Sequence, residues 1–324
     1  MTNQKPTRLI QFSWMVLAYN IGVILWGAYV RATGSGAGCG NHWPLCNGEV
    51  FPRAKEIETL IEFAHRTSSG LALIFVVALG IWVFRAFPKK HIARTGATLS
   101  LFFIITEALI GAGLVLFKLV AGNTSMMRAA YLSVHLVNTF LLLASLAMTA
   151  WWVTGGKAIE WKRSMATVLV SVGMIGLLIL GVSGAITALG DTLFPSRSLL
   201  EGFNQDMSPT SHILLRLRIW HPIIAILVGF YSIFSAVLLE QLIKTKAVKR
   251  LGQLLIGLVM IQFVAGVINV ALLAPIWLQM VHLLFADMLW VTFVLMGTAA
   301  LSDTPTATAD SQSVEHIEKG LVGA

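Results

Sequence analysis

"SMATVLVSVGMIGLLILGVSGAITALG", residues 164–190, runs without one charged side chain. A helix of about 20 apolar residues is long enough to cross the hydrocarbon of a bilayer, so this stretch reads as a transmembrane helix. Composition extends that reading to the whole chain. Of its 324 residues 56% are hydrophobic and 12% charged, with mean hydropathy +0.80, well outside the range of a soluble domain. Further apolar runs lie at 9–30, 67–84, 95–117, 129–156 and 219–239, and a last region, 251–302, is split at Pro275 by a short "LLAPI". The prediction is an all-α polytopic membrane protein with eight transmembrane helices.

Lys and Arg are retained on the cytoplasmic side. With the N-terminus inside, the inner segments carry Lys5, Arg8, Arg85, Lys89, Lys90, Arg94, Lys157, Lys162, Arg163, Lys244, Lys246, Lys249, Arg250 and Lys319, which is 14 of the 23 basic residues. Both termini are therefore expected in the cytoplasm, and the net charge of +8 is assigned to anchoring at the lipid bilayer, with no motif that points to nucleic acid. The first apolar run is too long for a cleavable signal and lacks a small-residue cleavage site, so it reads as a retained helix. Without an N-terminal transit segment, the expected location is a bacterial plasma membrane. The tail from 302 to 324 is polar and is expected to be disordered.

The residues leaving the quoted helix, "GAITALGD", resemble "GAYVRATGSG" at 27–36, and each is followed by a long outer loop. Such internal similarity is the mark of a repeat. Helices 1–4 and 5–8 then correspond with the same orientation. The division expected is a first half, 1–160, a second half, 161–301, and the tail, with the halves forming two pseudo-twofold-related four-helix bundles. Helix 2 opens with His65 and helix 6 with His221; "YLSVHLVNTF" in helix 4 matches "WLQMVHLLFADM" in helix 8, which aligns His135 with His282. A single histidine near a helix end is ordinarily a packing residue. Two per half at matched depth are different, because ionisable groups inside a membrane face the bundle interior. Neutral imidazoles from two facing helices can ligate one heme iron axially. Two bis-histidine heme sites are predicted.

Arg66 adjoins His65, Arg128 lies two helical turns before His135, and Arg218 precedes His221 by three residues on the same face. Arginine binds carboxylates bidentately, so these three are candidate partners of heme propionates, or else markers of the outer interface. The repeat fails at one informative place. Three residues before the first histidine stands Glu62, and three before its counterpart stands Arg218. A carboxylate beside an apolar pocket could exchange protons with a substrate, so the first half reads as reactive and the second as an electron-transfer site. The first half also owns the cysteine loop between 31 and 64, "GSGAGCGNHWPLCNG", where Cys39 and Cys46 are free to form a disulfide outside the cytoplasm. Neither zinc spacing nor a CxxCH motif is present.

Together "GAYVRATGSGAGCGNHWPLCNG", "IEFAHRTSSG", "VHLVNTFLLLASL", "GAITALGDTLFP", "LRLRIWHP" and "MVHLLFADMLW" resemble the heme A synthase family over about residues 10 to 300. The resemblance implies oxidation of a methyl group of heme O to a formyl with oxygen from water, in the service of terminal oxidases. It implies heme b held by His221 and His282, substrate heme O at His65 and His135, Glu62 as the essential carboxylate, and Cys39 and Cys46 as the cysteine pair of one bacterial branch. That branch often has a second pair between helices 5 and 6, which "GDTLFPSRSLLEGFNQDMSPTSH" lacks, so a mechanism needing two disulfides does not transfer. The cysteine pair has three readings: staple, redox relay or thiol partner of the substrate. A heme O synthase, an electron acceptor that no motif names, and a second copy of the chain are candidate partners. The rival readings are a diheme b-type cytochrome, as in a quinol oxidoreductase subunit, and a transporter.

Glu107 lies within helix 3 where helix 7 has Gln262; it reads either as a functional carboxylate or as a group bonded to a neighbouring helix. Asp287, five residues past His282, is off that histidine's face. His42, His91 and His316 read as non-ligands, and His212 is left open.

Overall fold

The computed structural model describes residues 7–53, 56–161 and 163–302. Lys5, Lys162, His316, Lys319 and the tail beyond Ser302 lie outside the described residues. The helices, in chain order, are α1 (Thr7–Ala32), α2 (Ile57–Ala86), α3 (Ile92–Leu116), α4 (Met126–Val153), α5 (Met165–Leu193), α6 (Leu199–Met207), α7 (Ile213–Arg218), α8 (Trp220–Ile243), α9 (Lys246–Ala271) and α10 (Ile276–Ser302). Among the described residues eight spans are long and apolar enough to cross a membrane, with α7 and α8 forming one of them.

The largest departure from the sequence expectation is the start of the second span. Hydropathy places it at 67, whereas α2 begins at Ile57. Glu58, Glu62 and Arg66 break the apolar run without breaking the helix, because hydropathy does not register the partners those charges find. Elsewhere, side-chain caps mark the helix starts. Ser125, Ser164, Ser198 and Thr245 each accept an N–H three residues on, the ordinary way of satisfying the first orphan donors of a helix. His91 and His212 cap α3 and α7 in the same manner through Nδ1. The "LLAPI" break is a tight turn. Leu273 and Ala274 both take positive φ, and Ala274 N–H closes the turn on Asn269 O.

In the first four spans α1 and α3 each pack against both α2 and α4; in the last four, α5 and α9 each pack against both α8 and α10. The two sets meet where α4 touches α5 and α10 and where α1 touches α10. α4 and α10 are buried through most of their central length, while the other spans keep a lipid-facing side. Across this seam Trp290 stacks on Phe140 at 5.1 Å and donates its indole N–H to Phe140 O. That bond matters, because a buried indole N–H without an acceptor is costly.

Candidate functional site

Each of the four histidines on α2, α4, α8 and α10 lies against a glycine of the span before it. A Cβ at Gly27 would come within 2.9 Å of His65 Cε1, one at Gly184 within 3.1 Å of His221 Cε1, one at Gly266 within 3.5 Å of His282 Cε1, and one at Gly111 within 3.8 Å of His135 Cε1. The same device therefore seats all four rings. At Gly27 and Gly184 a side chain would crowd the imidazole, whereas at Gly266 and Gly111 a Cβ would make ordinary contact.

His221 and His282 face each other, with ring centroids 6.5 Å apart and planes at 83°. Two nitrogen–metal bonds of about 2 Å each, added to the two ring radii, span such a gap. Ser183 Oγ lies 3.0 Å from His221 Nδ1, which turns the other ring nitrogen inward. His282, His65 and His135 each carry a buried Nδ1 with no hydrogen-bond partner among the described residues, a condition that calls for an explanation when a polar atom is buried. Among the same residues no group of three or more His, Cys, Asp or Glu is placed to hold a bare metal ion. A pair of imidazoles suits an iron porphyrin instead, because the macrocycle supplies the remaining ligands. The donor set fits heme.

Glu62 is held, and is not the bare carboxylate in an apolar pocket that the sequence suggested. Its Oε2 accepts Cys39 N–H at 2.7 Å, and its Oε1 accepts Arg66 Nε and Nη2 at 3.1 and 2.5 Å. The side chain is 4% exposed. Arg66 also donates through Nη1 to the carbonyls of His42 and Leu45. Cys39 and Cys46 form a disulfide, so the cysteine loop, Arg66 and Glu62 are one braced unit, one helical turn from His65. Thr59 donates to Gly38 O from the same helix.

The other two arginines are engaged as well. Arg128 donates to Ala121 O and Asn123 O. Arg218 pairs with Asp191 at 2.7 Å and Asp206 at 2.6 Å, and the helix is interrupted at Ile219 between Arg218 and His221. The guanidinium groups of Arg66 and Arg218 are thus occupied by protein oxygens, and a propionate would have to exchange with them, whereas Arg128 keeps a buried Nε with no partner among the described residues. Asp287 is fully buried and neither of its oxygens has a hydrogen-bond partner among the described residues.

Three groups escaped the sequence reading. Ser183 lies beside Gly184, where the first half has Trp26 beside Gly27. Arg31 of α1 reaches across to Ala188 O, Thr192 Oγ1 and Gln279 Oε1, joining α1 to α5 and α10; the signal was a break in the repeat, which has Ala188 at the matching position. Asn138 and Thr139 hold Glu107, next to His135.

Eight apolar spans, with a histidine on each of α2, α4, α8 and α10, define a multi-pass helical membrane protein. Residues 10–294 match the family described as cytochrome oxidase assembly protein, and the chain belongs to that family. A heme A synthase from Bacillus cereus is 26% identical over 299 residues, covering 90% of this chain and 94% of the relative. One from Bacillus licheniformis is 38% identical over 130 residues, about 40% of each chain. A Thermus thermophilus protein named protoheme IX farnesyltransferase is 50% identical over 319 residues, 98% of this chain but 52% of the relative. The chain spans about half the length of that relative.

Proposed function

We propose that the chain is a heme A synthase that oxidises a methyl group of heme O to a formyl group. The single observation carrying this is Glu62, held at both oxygens beside His65, where the second half has Arg218 locked between two aspartates. One half thus offers a base next to a ligand histidine, and the other an arginine already held by two aspartates.

The reaction removes four electrons and four protons: the methyl carbon gains one oxygen from water and becomes the aldehyde, and the electrons pass one at a time to an external redox partner that serves as the oxidant. His65 and His135 would present the substrate iron in the first half. Glu62, with accepting capacity left on Oε2, would take a proton from the attacking water, while Arg66 and the Cys39 amide keep its carboxylate aimed. His221 and His282 would hold heme b, which supplies a one-electron redox centre when bound. The two halves, 1–160 and 161–301, then divide the labour into substrate site and electron exit, with both termini in the cytoplasm.

The Thermus relative supports a partner. This chain matches the Bacillus cereus heme A synthase nearly end to end but only half of the protein carrying the farnesyltransferase name. The farnesyl-transfer function is assigned to the unmatched half, and a heme O synthase is the expected supplier of substrate to this chain.

The test is Glu62→Gln in membranes that also contain a heme O source. Heme A should disappear from the extracted pigment while the low-spin heme b spectrum stays. Heme A at the wild-type level would end the assignment to Glu62, and two stoichiometric hemes b with no heme A from the wild type would select the diheme cytochrome.

A further inference from the structure

Glu107 is the centre of a polar network that the second half lacks. Asn138 Nδ2 donates to Glu107 Oε2 at 2.6 Å and to Phe103 O at 3.0 Å. The amide is fixed in that sense because Phe103 O can only accept, and the amide Oδ1 lies 2.6 Å from Thr106 Oγ1. Thr139 Oγ1 lies 2.5 Å from Glu107 Oε1. That same Oε1 stands 3.5 Å from His135 Nδ1, a nitrogen with no hydrogen-bond partner among the described residues. Donors thus orient both carboxylate oxygens, and one of those oxygens faces the ring nitrogen of a ligand histidine.

The aligned positions in the second half are Ile261, Gln262, Phe285 and Ala286 for Thr106, Glu107, Asn138 and Thr139. Every side chain of the network has been replaced, and Gln262 Oε1 is buried without a partner among the described residues. The second half uses a neutral hydroxyl instead, Ser183 on His221. The two pairs are therefore supported differently, by a carboxyl group 3.5 Å from His135 in the first half and by a hydroxyl 3.0 Å from His221 in the second.

We infer that Glu107 is a positioning residue for His135: its carboxylate accepts Nδ1–H, fixes the tautomer and leaves Nε2 as the ligand atom. The inference rests on the heme reading of the site. A carboxylate behind a ligand imidazole makes the ring more basic and favours the more oxidised metal, so the first-half heme should have the lower midpoint potential of the two.

The experiment uses the full-length protein purified with its resident heme, titrated with hemin as the added probe. Glu107→Gln should weaken binding of the added equivalent about 10- to 100-fold and raise its midpoint potential, with the resident heme spectrum unchanged. Wild-type affinity and potential for the added heme would overturn the inference. Should Glu107→Gln also lose the resident heme, Asn138→Leu decides, since it keeps the carboxylate but removes its donor. It should shift the potential in the same direction, and no shift overturns the inference. Neither readout depends on heme A formation. Failure of the synthase reading would leave both measurements standing, and a silent Glu107→Gln would sink the positioning role even where heme A is made.

Discussion

Gly184→Ala tests whether the seat beneath His221 matters to the heme site. The added Cβ would lie 3.1 Å from His221 Cε1 and 3.6 Å from Nδ1, tighter than ordinary van der Waals contact. The ring cannot retreat freely, because Nδ1 is bonded to Ser183, the residue immediately before Gly184. Overpacking of this kind costs about 1–3 kcal/mol. Replacing Gly by Ala in a helix returns about 1 kcal/mol of folding stability, but that gain is the same with and without ligand and cancels in binding. The steric term alone should therefore appear in heme affinity, as a loss of about 5- to 150-fold. Gly266→Ala is the internal control on the opposite ligand. Its Cβ would meet His282 Cε1 at 3.5 Å, which is ordinary contact, so the protein should melt at the same temperature or higher and bind normally. Titration of both variants with hemin, followed by the low-spin Soret band, separates them. Gly184→Ala binding within about twofold of wild type, or Gly266→Ala losing as much, would refute the idea that these glycines set ligand position.

Two further outcomes follow from the outer surface. A Cys39→Ser, Cys46→Ser double variant opens a short loop, for which chain entropy estimates about 2.5 kcal/mol. Amide exchange in residues 38–47 should rise and heme A formation should fall as Glu62 loses the ordered Cys39 N–H; full turnover would reduce the disulfide to a staple. Arg218→Met leaves Asp191 and Asp206 facing each other and should cost about 3 kcal/mol, read as a lower melting temperature. The triple variant with Asp191→Asn and Asp206→Asn should recover most of the loss, and no recovery would show that Arg218 acts through packing.

The spans were legible because hydropathy is a property of consecutive residues. The same is true of the "LLAPI" turn, announced by Pro275. The histidines were legible for another reason: the repeat compares positions within one chain, so His65 with His221 and His135 with His282 could be matched without knowing any contact. The true start of α2 was not legible, since Glu58, Glu62 and Arg66 look like loop residues until their partners are known. Ser183 was invisible among the small residues of an apolar helix. Arg31 was visible only as one more outer basic residue, although its place opposite Ala188 in the repeat was a signal.

By itself the sequence determined eight apolar spans and four histidines at matched places in an internal similarity, because apolar length and internal similarity survive in one dimension. The tertiary structure decided what each charged group does. Glu62 meets Cys39 across 23 positions, Asp191 meets Arg218 across 27 and Glu107 meets Thr139 across 32. In a low-dielectric interior the character of an ionisable group depends on those partners more than on its own identity, and partners that distant along the chain are brought together only by the packing of helices.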